Sequence, residues 1–255
     1  MSFEFLSPDQ ADPDGGFAPV LQSTIERQLV KAGATIEERD GWRMATHFGG
    51  PGDDLQACRE TVGVAECSFL GKLELQASPA ATASIVAAAS GGQTLTLGRA
   101  ERAGDGTWWC PITPSRVLAI CEPGQTAAVR TRLEQAAAGS NDLASVIELT
   151  TQYGAFRLAG PLARETFARL SALDTRPVAF AEQAFAPISV GRAPSFVLRE
   201  GGDRFLHLFG SGYAQYMWTA VIDAAEHLGG RPVGIDAMTQ LAGEPASEAG
   251  EAVHA

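Results

Sequence analysis

The sequence has no stretch approaching the roughly 18 consecutive apolar residues that a bilayer-spanning helix requires. No secretory leader is expected from its start: residues 1–16 are acidic and rich in proline and glycine, with neither a basic nor an apolar region. A cytoplasmic location is therefore expected. Basic residues are in short supply. Nineteen lysines and arginines against 30 aspartates and glutamates leave a net charge of -11. Such a surface repels phosphate backbones and anionic lipid, so neither nucleic acid nor a membrane is expected as a partner. Cysteine is sparse, and Cys58, Cys67, Cys110 and Cys121 form no CxxC pair. They read as reduced core thiols. The histidines His47, His207, His227 and His254 are scattered, so no metal site is expected. The sequence also lacks a GxSxG elbow and a P-loop, and Gly210-Ser211-Gly212 is too short for a dinucleotide fingerprint.

What remains is an ordinary globular composition, 45% hydrophobic and 19% charged over 255 residues. That length suits one large domain or two small ones around a shared core. Helical spacing of apolar residues predicts helices over 19–32, 79–89, 125–138, 161–170 and 213–228. Alternation predicts strands within 62–75 and over 94–97, 116–121, 146–151, 155–158, 196–199 and 204–209. Glu200-Gly201-Gly202-Asp203 has the composition of a hairpin turn. Strand pairs alternate with helices as β-α-β-β-α-β, twice, which predicts an α+β fold with two sheet-and-helix layers.

Several spaced motifs point further. Ser23-Thr24-Ile25 is followed by Gly33-Ala34, Gly41-Trp42-Arg43-Met44 and Phe48-Gly49-Gly50. Residues 57–64 read Ala-Cys-Arg-Glu-Thr-Val-Gly-Val, and Leu158-Ala159-Gly160-Pro161-Leu162-Ala163 comes later. This ordered series resembles the glycine-cleavage T-protein (aminomethyltransferase) family over roughly residues 20–240, with matching gaps in the amino-terminal block. The resemblance implies two layered sheet-and-helix subdomains of the folate-binding type, without the family's carboxy-terminal barrel. The expected division is a flexible arm over 1–18, a first subdomain from 19–58 plus 148–240, a second over 59–147, and a disordered tail over 241–255.

The resemblance also implies tetrahydrofolate in a central cavity, with an aspartate moving a proton at the folate nitrogen. Proton transfer there needs a positioned acid or base. Asp105 is the nearby carboxylate and the candidate catalyst, although Ala103-Gly104-Asp105-Gly106 equally suits a solvated turn. Trp42, Met44, Arg99, Tyr153 and Glu200 are the candidate cofactor-binding residues. Glu200 stands where the family's Gly-Tyr-Thr-Gly-Glu motif is missing, and Glu66 stands at a family aspartate. Trp108 and Trp109, adjacent in a strand, face opposite sides, and an exposed one would suit a partner interface.

Two functions follow from the resemblance. One is a tetrahydrofolate-binding aminomethyl or methyl transferase, or a demethylase component, acting on a small methylated amine. The other is a noncatalytic subunit similar to the gamma chain of heteromeric sarcosine oxidases, partnered by flavoenzyme subunits. The segments 190–194 and 211–218 and the shortened stretch 101–115 carry the second resemblance.

Overall fold

The computed structural model describes residues 19–50 and 52–243 of the chain. The expected arm lies outside them, as does the tail beyond residue 243. Near the start, β1 (Leu21–Gln22) leads into the short helix α1 (Glu26–Lys31), then β2 (Ala34–Arg39) and β3 (Trp42–Phe48). The helix expected over 19–32 is thus split, because residues 21 and 22 pair in parallel with Trp42 and Arg43. Asp40 and Gly41, both at positive φ (50° and 73°), make the tight turn between β2 and β3. The order of this small sheet is β1-β3-β2.

After α2 (Asp53–Glu60) comes β4 (Gly63–Glu66), which belongs to a six-stranded sheet. The chain then crosses to β5 (Gly71–Gln76) of a five-stranded sheet. That second sheet is completed by α3 (Pro79–Ser90), β6 (Glu101–Arg102), β7 (Trp108–Thr113), β8 (Arg116–Cys121), α4 (Thr126–Ala138) and β9 (Ser145–Glu148), in the strand order β6-β7-β8-β5-β9. α3 is delimited by local chemistry. The Ser78 hydroxyl accepts the Ala81 amide, Pro79 occupies the first turn, and Gly91 at φ 78° closes the helix. Residues 94–97, expected as a strand, form only an isolated bridge from Thr96 to Arg99.

The chain returns to the six-stranded sheet through β10 (Tyr153–Ala159), α5 (Ala163–Leu170), β11 (Phe185–Val190), β12 (Ala193–Gly201), β13 (Arg204–Gly210), α6 (Ala214–Glu226), β14 (Arg231–Pro232) and α7 (Ile235–Gly243). Its order is β11-β12-β13-β10-β4-β14. The first three residues of the expected tail therefore complete a helix. The second layer begins at residue 71 rather than 59, because β4 pairs with β10.

Period-2 alternation sorts each sheet's side chains into two cores. Phe156, Phe205 and Phe209 face Phe167 of α5 and Trp218 of α6. Leu73, Leu75, Trp109 and Val117 face Ile85, Val86, Val129 and Leu133 of α3 and α4. The opposite faces of both sheets meet in a third, central core that includes Leu198, Leu206 and Leu208 from one sheet and Trp108, Leu118 and Ile120 from the other. Each large apolar side chain buried there contributes roughly 1.5–3 kcal/mol. Trp108 and Trp109 do face opposite sides, but both are buried.

Both crossings between the sheets converge on Lys72. Its fully buried Nζ donates to the carbonyls of Ser68 and Leu70 in the first crossing, each at 2.8 Å, and of Thr150 in the second at 3.3 Å. Burial pushes this ammonium down to about 7, against the nearby Glu66 charge. Glu66 accepts from the Ser23 hydroxyl at 2.9 Å and the Ser68 amide at 3.1 Å, a tie within the framework. All four cysteines are free and buried.

Candidate functional site

At one end of the central core the packing opens into a cavity of about 420 Å³. Its apolar wall includes Met44, Phe69, Trp108, Leu206, Ile235 and Met238. The last two come from α7, which covers the cavity. Apolar walls with a few convergent polar groups are the usual build of a small-molecule site.

α7 is anchored at both ends. At its start, Asp54 Oδ2 accepts the amides of Phe48 (2.8 Å) and Gly234 (2.9 Å). Gly234 lies so close to β3 that a Cβ would stand 1.9 Å from the Thr46 carbonyl oxygen. Near its end, Arg204 donates to the Leu241 carbonyl at 3.4 Å. Arg39 Nη1 meets Asp236 Oδ1 at 2.5 Å and also pairs with Glu37. The hydrogen bond to Asp236, then that to Glu37, raises the Arg39 pKa above its ordinary value.

Two charged side chains meet inside. Arg157 lies on β10, in register with Leu206 of β13, which faces Leu198 of β12. Two residues beyond Leu198, a bulge between Arg199 and Gly201 leaves Glu200 as the extra residue. As the second residue after Leu198, Glu200 shares its face of the sheet. Glu200 and Arg157 both line the cavity and meet across β13. Arg157 Nε donates to Glu200 Oε2 and Nη2 to Oε1, both at 2.8 Å, a two-pronged guanidinium–carboxylate pair. The two side chains are only 19% and 9% exposed. Burial works against the Arg157 charge, but Glu200 outweighs it and leaves the guanidinium pKa raised. Arg102 stands over the Trp108 ring, 5.4 Å from its centroid, and Asp40, Glu122 and Gly106 complete the rim with Arg204.

Of the residues singled out from the sequence, Met44 and Glu200 line this cavity. Trp42 is buried in the adjoining core rather than in the lining. Arg99 lies outside it, bound to Glu101 at 3.1 Å and to Gln183. Tyr153 packs edge-on against Phe196, 5.8 Å between centroids, and burial raises its pKa. Asp105 sits at the β6–β7 tip with its carboxylate on Arg132 of α4, at 2.5 Å. Partial burial works to raise that carboxyl, but the Thr107 amide and Arg132 outweigh it and lower its pKa. The next residue, Gly106, lines the cavity without a side chain. Sequence reading passed over Arg157. Its signal is a charge set between Phe156 and Leu158 in an otherwise apolar strand.

Among the described residues no helix is long and apolar enough to cross a membrane, and no three His, Cys, Asp or Glu side chains cluster to hold a metal. Residues 25–247 match the family model for the GCVT N-terminal domain. The aminomethyltransferase of Frankia alni is 29% identical over 239 residues, covering 88% of this chain and 63% of that protein. The chain thus spans under two thirds of the length of this curated relative. Among solved structures, the glycine cleavage system aminomethyltransferase T from Bartonella henselae superposes with a TM-score of 0.72 at 18% identity, over 86% of this chain and 60% of that one. A heterotetrameric sarcosine oxidase from Corynebacterium sp. U-96 superposes with a TM-score of 0.60 at 23% identity, over 68% of this chain and 90% of that one. These two likenesses show the fold.

Proposed function

The chain belongs to the family of GCVT N-terminal domains, and from that premise we propose that it binds a tetrahydrofolate-type ligand in the cavity and serves one-carbon chemistry on a methylated amine. One observation carries the reading: the Glu200 carboxylate, inside an apolar cavity, accepts two parallel N–H donors at 2.8 Å. A pterin carries such a donor pair on its amidine edge, so the residues present fit the group. Met44, Phe69 and Trp108 would flank its ring and keep water from it, and Arg102 and Arg204 on the rim, beside Asp40 and Glu122, would be available to an anionic tail. When bound, tetrahydrofolate supplies nucleophilic nitrogens that take up a one-carbon unit.

Titration of the whole chain with folinate, followed by tryptophan fluorescence, tests this. Saturable quenching that weakens in Glu200→Gln is the expected result. A folded chain that binds no folinate overturns the reading.

The hairpin favours a second reading. Asp105 is held by Arg132, and Gly106 brings no acid to the cavity. A chain so built supports flavoenzyme partner subunits without performing transfer itself. Stable co-elution with flavin-containing amine oxidase subunits, with no folinate binding, would favour it.

A further inference from the structure

We infer that Arg157 is an internal competitor for Glu200, occupying the carboxylate that a ligand's amidine edge would otherwise take, and so sets how tightly such ligands bind. The inference deepens the proposed reading of the cavity and rests on it for the identity of the ligand. The grounds are geometric. Arg157 offers Nε–H and Nη2–H side by side to the two Glu200 oxygens. A ring amidine, with its exocyclic amino group and adjacent ring N–H, offers the same two donors at the same spacing. Both cannot use one face of one carboxylate, because two parallel bonds already fill it.

A purely structural pair accounts less well for the arrangement. The strands that carry Arg157 and Glu200 are already joined through β13 by ladders, broken only by the bulge at Glu200. A buried ion pair also adds little stability over apolar residues of similar volume. The pair instead lies in the lining of a cavity, and Glu200 has no second hydrogen-bond partner among the described residues. Glu122 lines the same cavity and its charge acts on Arg157, which gives the guanidinium a second carboxylate to turn to when displaced. Ligand affinity is then reduced by the fraction of time Arg157 holds the seat.

The test uses isocytosine, a pyrimidinone carrying the amino and ring N–H pair, with the same ring lacking the amino group as control. Arg157→Met keeps an apolar stem and removes the fork. Calorimetry should show isocytosine binding Arg157→Met about tenfold or more tighter than the wild type. The gain should vanish when Glu200→Gln is added. Equal affinity for two folded proteins, or a gain that survives Glu200→Gln, overturns the inference. A readout on the unaltered protein guards against a misfolded variant. Saturating isocytosine should shift the Arg157 Nε–H resonance, and binding without a shift overturns the inference. Parallel folinate titrations separate the two proposals. If isocytosine gains while folinate binds neither protein, the folate reading fails and the Arg157 inference stands. If folinate binds both proteins equally, the Arg157 inference falls and the folate reading stands.

Discussion

The carboxylate of Asp54 accepts the amide of Gly234, 180 residues further along the chain, at 2.9 Å. Because Gly234 immediately precedes α7, this single bond fixes where the cover of the cavity begins. Asp54→Ala orphans two amides bonded to a charged acceptor and should cost about 3 kcal/mol, read from urea unfolding. Gly234→Ala should be worse, since its methyl would overlap the Thr46 carbonyl. A stable, ligand-binding Gly234→Ala protein would show that α7 is not held this way.

The Arg157–Glu200 pair should behave as a coupled unit. Arg157→Ala alone leaves a mostly buried carboxylate without its partner and should cost about 3–5 kcal/mol. Arg157→Met combined with Glu200→Leu should recover most of that. A double-mutant cycle with no coupling would place the pair apart in solution.

His207 gives the acid dependence. It is wholly buried, with Nε2 3.0 Å from the Ser195 hydroxyl and no partner for Nδ1. Burial pushes it down to about 3 from its ordinary 6.5. Below pH 6.5 the unfolded chain takes up a proton that the folded chain refuses. The stability His207 contributes is therefore complete above pH 6.5 and lost on acidification toward 3, by up to about 1.4 kcal/mol per pH unit. His207→Phe should flatten the slope of urea-unfolding free energy between pH 5 and 6.5. Ser195 keeps its bond to the Ala193 carbonyl in that variant. An unchanged slope would show that His207 is not the source.

Asp105→Asn tests the hairpin. Its ion pair with Arg132 is exposed on both sides, so stability should change by less than about 1 kcal/mol. Folinate or isocytosine titration should be unaffected. A large loss of affinity would mean that the carboxylate swings to the cavity in solution.

The sequence made the framework readable where local chemistry decides it. The strand at Arg116–Cys121 and the helix from Ser78 to Gly91 follow from alternation, capping and glycine. It failed where distant partners decide. Leu21 and Gln22 look helical until β3 is beside them, and residues 94–97 alternate without a strand to pair with. The site divides the same way. Met44 and Glu200 were legible from motif position. Glu200 reaches the cavity because β12 runs on past Leu198 into a stretch of turn-like composition. Arg157 gains its meaning only from a carboxylate 43 residues away. Asp105 was the reverse case, a carboxylate in a suggestive loop that an arginine on α4 had already engaged.

Lys72 has a mechanical consequence. By gripping carbonyls from both crossings at once, its ammonium ties the two connections between the sheets to β5. The two links between the sheets are therefore coupled to each other through one side chain. α7, by contrast, is held to β2 on its outer side by a solvent-exposed arginine–aspartate pair.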